Sequence, residues 1–158
     1  MSERNTCSCF SAAQAQKLKC PACGGLSAAV PAATARAILK RTVKLPAAGI
    51  FSLCVNPACR VYYFAGAKTW TRNDVTVPFD FKSGALPRYA CYCNKLTYKQ
   101  VAEVFGVSGA VKWAEVVKAA KGAVKPRRCA EKNPHGTCCW LNSYDRAIKE
   151  AEAAQGRR

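Results

Sequence analysis

Eight of the eleven cysteines in this 158-residue chain fall by spacing into two sets of four, and no other feature limits its folding as much. Cys20-Pro-Ala-Cys23 is followed by Cys54-Val-Asn-Pro-Ala-Cys59. Further on, Cys91-Tyr-Cys93 is followed by Cys129 and the adjacent pair Cys138-Cys139. Four thiolates complete a tetrahedral zinc site, and four thiolates also complete the ligand shell of an iron–sulfur cluster. The chain must therefore bring distant thiols together twice.

Disulfides are the competing use of cysteine. The count is odd, which argues against a fully paired framework. The opening Met1-Ser-Glu-Arg-Asn-Thr-Cys7 has neither the apolar run nor the small-residue cleavage site of a secretory signal. No stretch approaches the roughly 18 apolar residues of a membrane span. A cytoplasmic location, where thiols stay reduced and free for metals, is the expectation.

Hydrophobic residues make up 50% of the chain, but that fraction counts many alanines and the cysteines themselves. Hydrophobic burial alone is thin in such a chain, so bound metal is expected to supply much of the folding energy. The formal charge is +16, from 25 Lys and Arg against 9 Asp and Glu. Two four-thiolate sites at −2 each reduce it to about +12. A field of that sign draws an acidic partner, whether protein, nucleic acid or anionic membrane.

Organisation along the chain follows from periodicity and punctuation. Residues 1–17 read as a loose arm carrying Cys7 and Cys9, two thiols better read as free than as a soft-metal site. Residues 18–86 form a zinc-binding α+β region. Within it the run 32–44, with Pro31 before it and Pro46 after it, predicts a helix whose Ala35, Ile38, Leu39 and Val43 share one face. The runs 50–53, 61–64 and 75–77 are β-branched and aromatic between turn residues, and predict a small antiparallel sheet. Residues 87–142 form a helical region. Thr97-Tyr-Lys-Gln100 predicts a capped helix ending at Gly106, and Ser108 is placed to cap a second helix with Val111, Ala114 and Val117 on one face. Residues 143–158 predict a last helix from Ser143 to Ala154 and a frayed tail from Gln155.

The chemistry follows from the spacings. The pairs Cys20/Cys23 and Cys54/Cys59 have knuckle spacing, in which a tight turn presents two thiols to one metal while backbone N–H groups face the sulfurs. With no ligand position left open, such a zinc is structural. A one-residue spacer, as in Cys91-Tyr-Cys93, is less typical of zinc and suits a cluster iron. A helical hairpin between Cys93 and Cys129 returns the third thiol to the first two, and N–H groups at the helix start near Thr97 are expected to help offset the cluster's negative charge.

These residues resemble the bacterioferritin-associated ferredoxin-like 2Fe–2S domain. They resemble more closely the amino-terminal domain of the CopZ copper chaperone family, which joins a four-cysteine zinc site to a 2Fe–2S site. Cys20-Pro-Ala-Cys23-Gly24, Cys54-Val-Asn-Pro-Ala-Cys59-Arg-Val-Tyr-Tyr-Phe64, Cys91-Tyr-Cys93 and Lys132-Asn-Pro-His-Gly-Thr-Cys138-Cys139 stand in that family's order over roughly residues 18–141. The resemblance implies structural zinc at Cys20, Cys23, Cys54 and Cys59, and a 2Fe–2S cluster at Cys91, Cys93, Cys129 and Cys139. It implies one-electron transfer in copper or other soft-metal handling, with an acidic redox partner or a metal-transport protein. The M-x-C-x-x-C motif of the copper domain that copper-delivering members carry is not found in this sequence, whose single methionine is Met1.

Two other functions fit the same residues. A basic zinc ribbon could bind nucleic acid, with Tyr62, Tyr63 or Trp70 as stacking surfaces. A cluster carrier is a third reading. Trp140 reads as a core-filling aromatic and His135, the only histidine, as a solvent-facing loop residue. No nucleophile triad, phosphate loop or carboxylate pair is present, so the chain is not expected to be an enzyme, metal-reductase activity being the open exception.

Overall fold

The computed structural model describes residues 18–156. The arm with Cys7 and Cys9 and the last two residues lie outside the described part. The fold is α+β, with a small antiparallel sheet around the first cysteine set and helices around the second.

The sheet has four antiparallel strands in sequential order: β1 (Ser27–Val30), β2 (Phe51–Cys54), β3 (Val61–Ala65) and β4 (Lys68–Thr71). β2 and β3 follow the aromatic and β-branched runs. β1 carries two alanines and no local strand signal. It forms because the first cysteine turn delivers the chain alongside β2, in a register that sets Ser27 opposite Cys54. The expected strand at 75–77 does not form: Val75 makes one isolated bridge, to Leu39, and is buried by packing. That bridge also ends the first helix early. α1 spans Ala32–Ile38, and Leu39 turns to extended backbone at φ −70°, ψ 144°.

The core under the sheet is largely aromatic. Phe51 stacks on Trp70 with ring centroids 5.6 Å apart, and Phe79 meets Tyr62 at 4.6 Å and Tyr63 at 5.0 Å. Large rings each bury substantial apolar area in a core short of Leu and Ile.

The second part opens with a two-stranded ribbon, β5 (Tyr89–Cys91) and β6 (Leu96–Thr97), and continues into α2 (Tyr98–Ser108). The expected capping box is present: the Gln100 N–H donates to Thr97 Oγ1 at 3.2 Å and the Thr97 N–H to Gln100 Oε1 at 3.0 Å. α2 runs past Gly106 and stops at Gly109, whose φ of +67° is the left-handed cap that glycine takes without steric cost. α3 therefore starts later than expected, at Trp113, and runs to Lys121. Its buried face is Trp113, Val116 and Val117, whereas Val111 and Ala114 are exposed. A short α4 (Cys129–Lys132) and the long α5 (Ser143–Gln155) follow. Tyr144 and Ala147 of α5 pack with Leu96, Val101 and Trp113 in the second core.

Buried polar contacts join the two parts. Thr34 Oγ1 donates to the Ala130 carbonyl at 2.6 Å and the Tyr63 hydroxyl to the Pro134 carbonyl at 2.5 Å. The buried Asp80 carboxylate accepts from the Tyr98 hydroxyl at 2.6 Å and from Arg146 at 2.7 and 3.1 Å. No helix among the described residues is long and apolar enough to cross a membrane.

Candidate metal centres

Two turns and one strand end build the first site. The Gly24 N–H closes on the Cys20 carbonyl at 2.8 Å, which folds Cys20 and Cys23 to one side. The Gly25 N–H then donates to Cys23 Sγ at 3.4 Å, and a Cβ on Gly25 would stand only 3.1 Å from that sulfur. The second turn repeats the device. Cys54 ends β2, Asn56 Oδ1 accepts from the Ala58 N–H at 3.0 Å, and the Val61 N–H donates to Cys59 Sγ at 3.4 Å.

All four sulfurs lie within 4.8 Å of one another. Cys20 and Cys59 are 4.0 Å apart, and Cys23 and Cys54 are 3.7 Å apart. A tetrahedron with Zn–S bonds of about 2.3 Å has edges of about 3.8 Å, so the donor set fits zinc. The thiols differ in their surroundings. The Gly25 and Asn56 hydrogen bonds bring Cys23 down to about 6, whereas burial pushes Cys54 up to about 12 and raises Cys59. Lys82, unmarked in the sequence, stands behind the second turn. Its Nζ is buried and donates to the carbonyls of Asn56 (2.8 Å), Cys59 (3.1 Å) and Val61 (2.7 Å).

The second set gathers around one small cavity lined by Cys91, Cys93, Cys129, Cys138 and Cys139. Cys91 ends β5, Cys93 lies in the turn to β6, and Cys129 opens α4. The last two sit at a 3-10 turn, Cys139–Leu141. Cys93 Sγ is 3.9 Å from Cys129 Sγ, and Cys91 is hydrogen-bonded to Cys139. The four do not close into a single-ion cage like the first set. Cys91 is also hydrogen-bonded to Cys93, so the thiols follow one another around the cavity in the order Cys139, Cys91, Cys93, Cys129. Cys138 is buried next to Cys129, so both members of the adjacent pair reach the cavity wall. Hydrogen bonds from Cys139 and Cys93 hold Cys91 down at about 2 and one from Cys93 holds Cys129 at about 6. Their partners are raised, Cys93 chiefly by its bond with Cys129 and Cys139 chiefly by its bond with Cys91.

The donors to these sulfurs differ from the sequence expectation. They come from Arg128, whose N–H lies 3.2 Å from Cys93 Sγ, and from Asn94, whose Nδ2 lies 3.6 Å from Cys91 Sγ. At the helix start near Thr97, the Gln100 N–H is taken by the cap itself. Trp140 is half exposed at the cavity rim and does not fill the core; Trp113 occupies that place. His135 does not face solvent. Its ring packs on Phe81 at 5.5 Å, its Nε2 is buried, and burial lowers its pKa to about 4. Tyr62, Tyr63 and Trp70 are all buried, so none offers the stacking surface that the nucleic-acid reading needs.

The geometry thus defines a protein built on a closed four-thiolate zinc site. Comparison with known proteins points the same way: residues 17–76 match the model of the CopZ-type zinc-binding domain. The copper chaperone CopZ of Archaeoglobus fulgidus is 29% identical over 122 residues, which cover 77% of this chain and 58% of that protein. The chain therefore spans somewhat over half the length of that relative. The crystal structure of the Archaeoglobus fulgidus CopZ N-terminal domain superposes with a TM-score of 0.65 at 27% identity, covering 78% of this chain and 93% of that one.

Proposed function

We propose that this chain is a zinc- and 2Fe–2S-binding, CopZ-like protein that carries single electrons in copper or other soft-metal handling. Zinc is held by Cys20, Cys23, Cys54 and Cys59, where its role is structural. The cluster is held by Cys91, Cys93, Cys129 and Cys139, and it supplies one-electron chemistry when bound. The carrying observation is the gathering of the second thiol set on one cavity, with backbone and amide donors already on two of the sulfurs. Burial of Cys91, Cys129 and Cys139 favours a resident cluster over one handed to another protein.

The protein acts as a carrier, not an enzyme. Its positive charge suits an acidic redox partner or a metal-transport protein. Copper, in the Cu(I) form that thiols prefer, would be the metal whose handling these electrons serve. The test is metal analysis and visible absorption on protein purified without oxygen. One zinc and two irons per chain are expected, with a coloured protein. Protein that holds only zinc and stays colourless after reconstitution with iron and sulfide refutes the cluster.

A further inference from the structure

Trp113 is the first residue of α3, and its ring forms part of the wall of the second thiol cavity. The residue is 9% exposed, and its Nε1 is buried with no hydrogen-bond partner among the described residues. A buried N–H that is left unpaired is costly, so a native position of this kind calls for an acceptor. The cavity it lines is walled by sulfur, and an iron–sulfur cluster bound there adds sulfide.

The ring is also held in place. The Arg127 guanidinium lies 4.8 Å from the Trp113 ring centroid and 5.4 Å from that of Trp140, a cation between two indole faces. The next residue, Arg128, gives its N–H to Cys93 Sγ. The segment that clamps the tryptophan is thus tied to the thiols.

We propose that Trp113 is a positioning residue that sets the reduction potential of the 2Fe–2S cluster, its indole N–H donating to a cluster sulfur. The inference rests on the cluster reading given above. Reduction adds a negative charge to the cluster, and a donor to sulfur stabilises that charge, so the bond raises the potential. Trp140 lines the same cavity at its half-exposed rim, and Trp140→Phe, which keeps a ring for Arg127, tests whether the effect belongs to Trp113 alone.

The experiment uses the full chain, reconstituted without oxygen, as wild type, Trp113→Phe and Trp140→Phe. Phenylalanine keeps an aromatic ring and removes the donor. Redox titration should move Trp113→Phe to a more negative potential, by up to about tenfold in the reduction equilibrium, or about 59 mV for one electron. A shift in Trp140→Phe as large as that in Trp113→Phe overturns the proposal. With indole nitrogen labelled as 15N, pulsed EPR of the reduced cluster should show a nitrogen coupling in wild type and Trp140→Phe that Trp113→Phe lacks. Equal potentials in wild type and Trp113→Phe, or no 15N coupling in loaded wild type, overturn the proposal. If Trp113→Phe does not hold a cluster, the labelled wild type and Trp140→Phe decide in the same way. Wild type that takes up no iron sinks the cluster reading and this inference with it.

Discussion

Replacing Lys82 by Met removes the charge and three donors while keeping most of the aliphatic stem. Lys82 is 3% exposed, and its three acceptors all belong to the turn that carries Cys54 and Cys59. Burial lowers its pKa while the thiols of Cys54, Cys59, Cys20 and Cys23 raise it, so the site's negative charge helps to keep it an ammonium. With zinc bound, the four-thiolate site carries a full −2, and the cation is worth more than in the metal-free protein. Partners of this kind typically contribute 10- to 100-fold in metal affinity, or about 1.4 to 2.7 kcal/mol. Lys82→Met should lose zinc to a chromophoric chelator at about that much lower chelator concentration. Lys121→Met, which removes the same charge from an exposed position, should not. Lys82→Met that keeps zinc affinity within about twofold of wild type would refute the reasoning.

Cys54→Ser puts a hard hydroxyl into a fully buried ligand position and should cost more than about 4 kcal/mol, the range of a lost metal; zinc content and thermal melting check this. Cys139→Ser should perturb the cluster's spectrum, potential or lifetime more than Cys138→Ser, because Cys139 pairs with Cys91 while Cys138 duplicates a position beside Cys129. A larger effect in Cys138→Ser moves the assignment by one residue. His135 gives a pH dependence. Its folded pKa of about 4 lies below the ordinary 6.5, so between those values the unfolded chain binds more protons and stability falls as pH falls. Relative to pH 7.5, wild type should lose about 1 kcal/mol by about pH 5.5 in urea melts, and His135→Phe should not. Parallel pH profiles for the two proteins would exclude the effect.

The sequence displayed its gathered thiols far better than their supports. Cysteine spacing and the Thr97/Gln100 box are local patterns, and both survive into the fold. The α3 face was misplaced because the capping glycine is Gly109 rather than Gly106, so the chain spends residues 109–112 outside any helix and the phase shifts. β1 was invisible because strand pairing with β2, not the propensity of Ser-Ala-Ala-Val, creates it. Lys82, Asp80 and Trp113 have no signature within a few residues. Each acquires its role from groups that the fold brings from elsewhere, such as the carbonyls of residues 56–61 around Lys82.

The Asp80 junction has a consequence for anyone who would take the protein apart. The carboxylate stands on the sheet side of the chain, while Tyr98 and Arg146, which satisfy it, stand on the helical side. A cut between residues 86 and 87 would separate the two ligand sets cleanly but strand a buried anion on one fragment and its hydrogen-bond donors on the other. Either half transplanted alone would need that junction redesigned, with an apolar residue at position 80 or a substitute acid in the helical fragment. Ligands can be counted site by site, whereas the smallest portable piece of this chain contains both sites.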